Sequence, residues 1–303
     1  MISIIWLPGH LRRSLDAAAD ALLSPLNGHR IDFDRPLREE ALLPADSISW
    51  RIFKNPIALL VGGIAAVILE MAEPAVRTGV WEHSSFRQDP MGRLQRTGLA
   101  ALVTVYGARS IAEPMIARVS RMHAKVTGET SAGEAYAAND ARLLTWVHTT
   151  AAFGFAQAYS RYVDPLSETE FDALYHEAAP AARLYGAVDA PQSAAELQTL
   201  FDSMRGRLEP SEFVLHFLQI MRETPAFPPS LRWMQRILVR AAVELIPEWV
   251  RECLGLTAFY GFRPAERSLV RLAGRVADRI VLPANPAVQS CRRLGLPITY
   301  LYA

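Results

Sequence analysis

Along most of the chain the apolar positions recur at spacings of three and four, and almost nowhere do they alternate for long. That pattern predicts helices and does not require strands. The most informative segment runs from Ser110 to Gly128. Ile111, Met115, Val119, Met122 and Val126 form one stripe on it, Ser110-Ile-Ala-Glu113 has the form of a capping box, and Gly128 is placed to stop the helix. His123 follows Val119 by one turn and sits beside Met122, so its imidazole is expected on or next to the buried face.

The same reading predicts helices over Ile57–Met71, Ala75–Ser84, Arg93–Tyr106 and Ala141–Tyr162. Others follow from Ser167 to about Tyr185 and over Ser193–Arg207, Pro229–Leu245, Glu248–Leu254 and Glu266–Ile280. Asn55-Pro56, Asp140 and Ser167-Glu-Thr-Glu170 supply start signals, and Gly107 interrupts a helix. Residues 128–135 are small and polar and read as a loop. Residues 1–45, with one helix around Leu11–Leu23 and breaks at Asn27-Gly28, Pro36 and Pro44, read as an N-terminal arm. No repeat or long linker divides the remainder, so the expectation is one all-α domain over 46–303.

Composition narrows the function classes. The 303 residues are 50% hydrophobic and 21% charged with a formal net charge of +1, so nothing argues for nucleic acid. The basic residues are mostly arginines scattered among acids, which reads as ordinary helix surface. Cys253 and Cys291 stand far apart, so neither a disulfide framework nor a cysteine metal site is expected. The start, Met-Ile-Ser-Ile-Ile-Trp-Leu-Pro, lacks the basic region and apolar run of a signal peptide. Ile57–Ala72 reaches Glu70 before the roughly 20 apolar residues that a bilayer requires. A buried core helix and a cytoplasmic protein are the expectations.

Generic catalytic motifs are scarce. There is no phosphate loop, no nucleophile elbow and no His-Glu-x-x-His, and Gly62-Gly63 reads as a helix-packing site. Glu70-x-x-Glu73 could place two carboxylates near one another, but the paired Glu-x-x-His elements of a di-metal bundle are missing. His83, His123 and His148 lie among apolar residues and near arginines. Each could be a hydrogen-bonded core histidine, and each could ligate iron or zinc or donate to a cofactor carboxylate.

An ordered set of fragments then becomes visible. Gly79-Val-x-x-His83-Ser84 is followed by Asp89-Pro90-x-x-Arg93-x-x-Arg96-Thr97 and by Arg118-Val-x-Arg121-Met-His123-x-x-Val126-x-Gly128. Next come Tyr136-x-Ala138-x-Asp140-x-x-Leu143-Leu144-x-Trp146-Val147-His148, Pro165-Leu166-Ser167 and Pro247-x-Trp249-x-Arg251-x-x-Leu254-Gly255. In this order, over about 45–260, they resemble the latex-clearing protein (rubber oxygenase) and MpaB oxygenase family.

The resemblance implies an all-helical fold with a globin-like core and one haem b, its iron held by His123. It implies dioxygen-dependent cleavage of a carbon–carbon double bond in an isoprenoid chain, with Arg93, Arg96 and Thr97 on the distal side. Arg118 and Arg121 become candidates for the haem carboxylates, and His148 for a contact near the cofactor. Glu73, Glu82 and His83 could supply a distal acid or base. Four departures matter: Arg96 stands for a lysine that can ligate iron, Glu73 for a histidine, Ser120 for an arginine and Ala141 for a proline. A guanidinium has no lone pair to offer a metal. The expected substrate is therefore a small lipophilic molecule rather than rubber. A non-catalytic haem or gas-binding protein and a cofactor-free helical binding protein are the competing readings, and the oligomeric state is not legible.

Overall fold

The computed structural model describes residues 31–224 and 232–302, with isolated positions before residue 31. The helix expected around Leu11–Leu23 lies almost wholly outside the described residues, as do the first three residues of the one expected from Pro229. The described chain is helical apart from one short hairpin. α1 (Ile48–Phe53), α2 (Pro56–Glu70), α3 (Pro74–His83), α4 (Pro90–Tyr106) and α5 (Arg109–His123) come first. Strands β1 (Thr127–Glu129) and β2 (Ala135–Ala137) pair antiparallel, with Gly128 opposite Tyr136. Then come α6 (Ala141–Tyr162), α7 (Glu168–Tyr185), α8 (Ala194–Ser203), α9 (Glu212–Glu223), α10 (Arg232–Val243), α11 (Glu248–Cys253), α12 (Glu266–Ala277) and α13 (Pro286–Leu294).

The fold is organised on α2 and α6, which share its most extensive helix–helix contact. Asn55 starts α2 by accepting from the amides of Ile57 and Ala58 at 3.0 Å each, with Pro56 at the first helical position. Asp140 starts α6 in the same way, at 2.8 Å from Arg142 N. Since α10 and α12 also pack on α2, its nearly continuous apolar surface is covered. The two backbones meet at glycines. A Cβ on Gly154 would lie 2.4 Å from the carbonyl oxygen of Gly62, and one on Gly62 would lie 2.7 Å from Cα of Phe155. Gly62 is thus a packing residue, as its sequence context indicated.

No single helix among the described residues is long and apolar enough to cross a membrane; α2 and α3 pass by composition only as a pair bent by 108°.

Three local expectations are corrected. The capping box at Ser110 does not form: Ser110 is already inside α5, and its amide and hydroxyl both donate to Glu39, at 2.6 and 2.9 Å. The helix ends at His123 rather than Gly128, because the chain turns there into the hairpin that replaces the expected loop. Tyr136 fills the hairpin so closely that a Cβ on Gly128 would meet its hydroxyl at 2.7 Å. Met122, assigned to the buried stripe, is 50% exposed, while Ile111 and Met115 of that stripe do pack on the core beside the buried Ala112 and Ile116.

Three helices not foreseen, α1, α9 and α13, complete the body. α13 clamps residues 31–45 through Arg293, which is 1% exposed and donates to the carbonyls of Glu39 at 2.8 Å and Phe33 at 3.0 Å.

Candidate functional site

Four helix segments bring ionisable side chains into the interior. Glu70 is the last residue of α2, and His123 the last of α5. Arg93 lies in the first turn of α4, which Asp89 caps by accepting from Gly92 N at 2.8 Å. His148 lies in the second turn of α6. All four retain some accessible surface, yet burial is the first cause of the ionisation shift at each. Arg93 is the link among three of them, since its charge acts on both Glu70 and His123.

Electrostatics follow from this placement. Burial raises the Glu70 carboxyl to about 7, with the charge of Arg93 pulling the other way. Burial lowers the Arg93 guanidinium, and Glu70 opposes that shift. The His123 imidazole is lowered by burial and then by Arg93. A histidine at a helix C-terminus would ordinarily be favoured as a cation; here desolvation and the neighbouring arginine win, and the ring is neutral at pH 7. His148 is pushed down to about 4 by burial alone.

The group is under-satisfied. Nδ1 of His123 and one terminal nitrogen of Arg93, Nη1, are buried without a hydrogen-bond partner among the described residues. Such atoms normally cost about 1–3 kcal/mol each unless something binds them. Among the described residues no group of three or more His, Cys, Asp or Glu is placed to hold a metal ion. One neutral histidine therefore suits an iron that arrives with its own ring ligands, and the residues present fit a haem in that respect.

The other expected site residues are distributed differently. Arg96 and Thr97 are exposed. Arg96 pairs with Asp89 at 3.4 Å and bonds Ser85, while the Thr97 hydroxyl donates to Arg93 O at 3.0 Å, within its own helix. The structure thus groups Arg93 with His123 and turns Arg96 and Thr97 outward. Arg118 and Arg121 are exposed on α5.

Of the three candidate acid–base residues, Glu82 and His83 are exposed on α3. Glu73 is 1% exposed, caps α3 through Val76 N at 2.9 Å and pairs with Arg142 at 3.1 Å, a structural engagement. Glu70, read in the sequence for its spacing to Glu73 and as the charge that ends an apolar run, is the acid that faces Arg93. Its signal was a carboxylate closing an otherwise apolar helix. A separate cleft of about 880 Å³ beside α9 contains none of these four residues.

Fold and site together define an all-α domain that presents a neutral histidine beside a buried acid and cation. The chain belongs to the family described as the catalytic domain of the ER-bound oxygenase mpaB/B' and rubber oxygenase, whose model matches residues 50–279. It is thus an oxygenase-type, oxidoreductase catalytic domain, and the fold is all-α as the resemblance implied. No curated protein and no solved structure matches the chain significantly.

Proposed function

We propose that the protein is a haem b-dependent oxygenase that uses dioxygen to cleave a carbon–carbon double bond in a small lipophilic substrate. The observation that carries this reading is His123, whose buried Nδ1 lacks a partner among the described residues and whose ring is kept neutral. A neutral imidazole nitrogen is a haem ligand in many proteins. Bound haem would supply the activation of dioxygen.

The chain's own residues supply the surroundings. Arg93 offers a charged donor, through its unpartnered Nη1, to whichever oxygen atoms of substrate or cofactor face it. Glu70, pushed up to about 7 by burial, can both take up and release a proton near neutral pH. Val147, Ala151 and Phe155 of α6 are only partly buried and give apolar surface that a lipophilic molecule would cover. Covering it also excludes water from the reacting groups. Arg118 and Arg121, being exposed, suit haem carboxylates that reach the surface, and His148 adds a second neutral imidazole.

Reconstitution with haemin, read by absorption, tests the reading. The wild-type chain should develop a Soret band, and His123→Ala should lose it or shift it markedly. An unchanged spectrum in His123→Ala would show that the ligand lies elsewhere, and no Soret band in the wild type would end the haem reading. Oxygen consumption with a panel of lipophilic alkenes then tests the activity.

A further inference from the structure

The cleft of about 880 Å³ opens between α3, α9 and α10, and its lining includes Trp81, Phe213, His216, Arg222 and Arg236. One wall is aromatic: Trp81 meets Phe213 edge-on with ring centroids 4.4 Å apart, and His216 lies 5.6 Å from Trp81. A smaller recess of about 270 Å³ adjoins it, for Arg222 and Arg236 line both. Arg240, Arg263 and Glu266 also line the small recess.

Charge is distributed unevenly between the two. The wide cleft is balanced, with Glu212 and Glu223 against Arg222 and Arg236. In the small recess Glu266 is occupied: Arg240 grips both of its oxygens, with Nε at 2.7 Å, and Arg263 N donates to it at 2.9 Å. Arg222 lies over the Phe259 ring at 5.6 Å and the charge of Arg263 acts on Glu266, yet no ion pair is formed by Arg222, Arg236 or Arg263 among the described residues. Arginine remains a cation at all working pH values, and its fork matches a phosphate.

We propose that the two recesses form one binding site for an anionic amphiphile, a linear hydrocarbon chain ending in a phosphate. The chain lies along Phe213, Leu215 and Tyr260, and the phosphate sits among Arg222, Arg236 and Arg263. A volume near 900 Å³ is in the range of small-molecule sites, and the small recess has room for a head group but not for a tail. The site shares no lining residue with the His123 group and stands whether or not that group binds haem.

Calorimetric titration of the full chain with decyl phosphate, decanol and inorganic phosphate tests the proposal. Decyl phosphate should bind at least tenfold more tightly than either fragment molecule. Arg236→Ala alters an exposed side chain, so the protein should fold normally, and it should weaken decyl phosphate at least tenfold. Arg263→Ala should weaken it as well, and His123→Ala should leave it unchanged. The proposal is overturned if decyl phosphate does not bind, if decanol binds as tightly, if Arg236→Ala has no effect, or if His123→Ala abolishes binding.

Discussion

The same two helices build a close backbone crossing and carry two strongly shifted ionisable groups. At Gly62 and Gly154, α2 and α6 touch backbone to backbone. Glu70, eight residues on along α2, and His148, six residues earlier on α6, lie roughly 12 and 9 Å from that crossing at 1.5 Å per residue. Both helices reach this end together, since Trp146 Nε1 donates to Leu69 O at 3.3 Å. There the acid and the imidazole keep accessible surface and have strongly shifted ionisation. A close crossing thus fixes the helices that carry these two groups, while the unmade hydrogen bonds of His123 and Arg93 belong to α5 and α4.

The most direct way to break the comparison is at the crossing. Helix propensity alone favours Gly154→Ala by about 1 kcal/mol. Sterics oppose it, because the new Cβ would meet backbone oxygen at 2.4 Å, and backbone cannot rotate away as a side chain can. The variant is expected to lose about 3 kcal/mol, read by denaturant unfolding. Gly98→Ala is the control: with nothing within 4 Å of the added methyl, it should be neutral or stabilising by up to about 1 kcal/mol. Equal behaviour of the two variants would mean that the crossing is looser than the structure has it.

A smaller effect sharpens the polar end. Glu70, raised to about 7 from 4.5, binds a proton in the folded state over a range where the unfolded chain has lost it, so it weakens the fold as pH rises from 4.5 to 7. His148, lowered to about 4 from 6.5, does the reverse and weakens the fold as pH falls from 6.5 to 4. Over the shared window the two slopes cancel. Glu70→Gln should therefore gain about 2–3 kcal/mol over the wild type at pH 8 and nothing at pH 4. It should also lose stability more steeply on acidification, with the His148 slope laid bare. A pH-independent difference between the two proteins would place Glu70 in solvent.

Local chemistry was readable in the chain, and contacts between distant residues were not. Asn55, Asp140 and Ser167 cap the helices that their sequence signals announced, because a cap is made within four residues. Ser110 failed as a cap because its partner, Glu39, lies 71 residues away in sequence. α9 carries a clear helical pattern in Val214, Phe217, Leu218 and Met221, all buried. His123 was placed on the packed face by periodicity, although Met122 beside it is not there. That Glu70 and Arg93 act on one another has no local signature, since the two belong to different helices. Several residues of the family-like fragments also do packing: Gly79 and Gly128 both lie against Tyr136.

The smallest expected effect separates Arg93 from its neighbour. Arg93 and Arg96 are one turn apart on α4, but only Arg93 is set in the interior beside Glu70 and His123. Arg96 pairs with Asp89 at 3.4 Å, with both side chains more than 40% exposed. Exposed pairs of that kind contribute at most about 1 kcal/mol and often nothing, so Arg96→Ala should change unfolding stability by no more than about 0.5 kcal/mol. Arg96→Lys restores the amine that the family resemblance implies at this position. With the side chain directed toward Asp89 and Ser85, it should leave the spectrum of the haem-reconstituted protein as it was. A new low-spin spectrum in Arg96→Lys would show that position 96 swings inward when the cofactor is present, and the division of α4 into an inner and an outer arginine would fall.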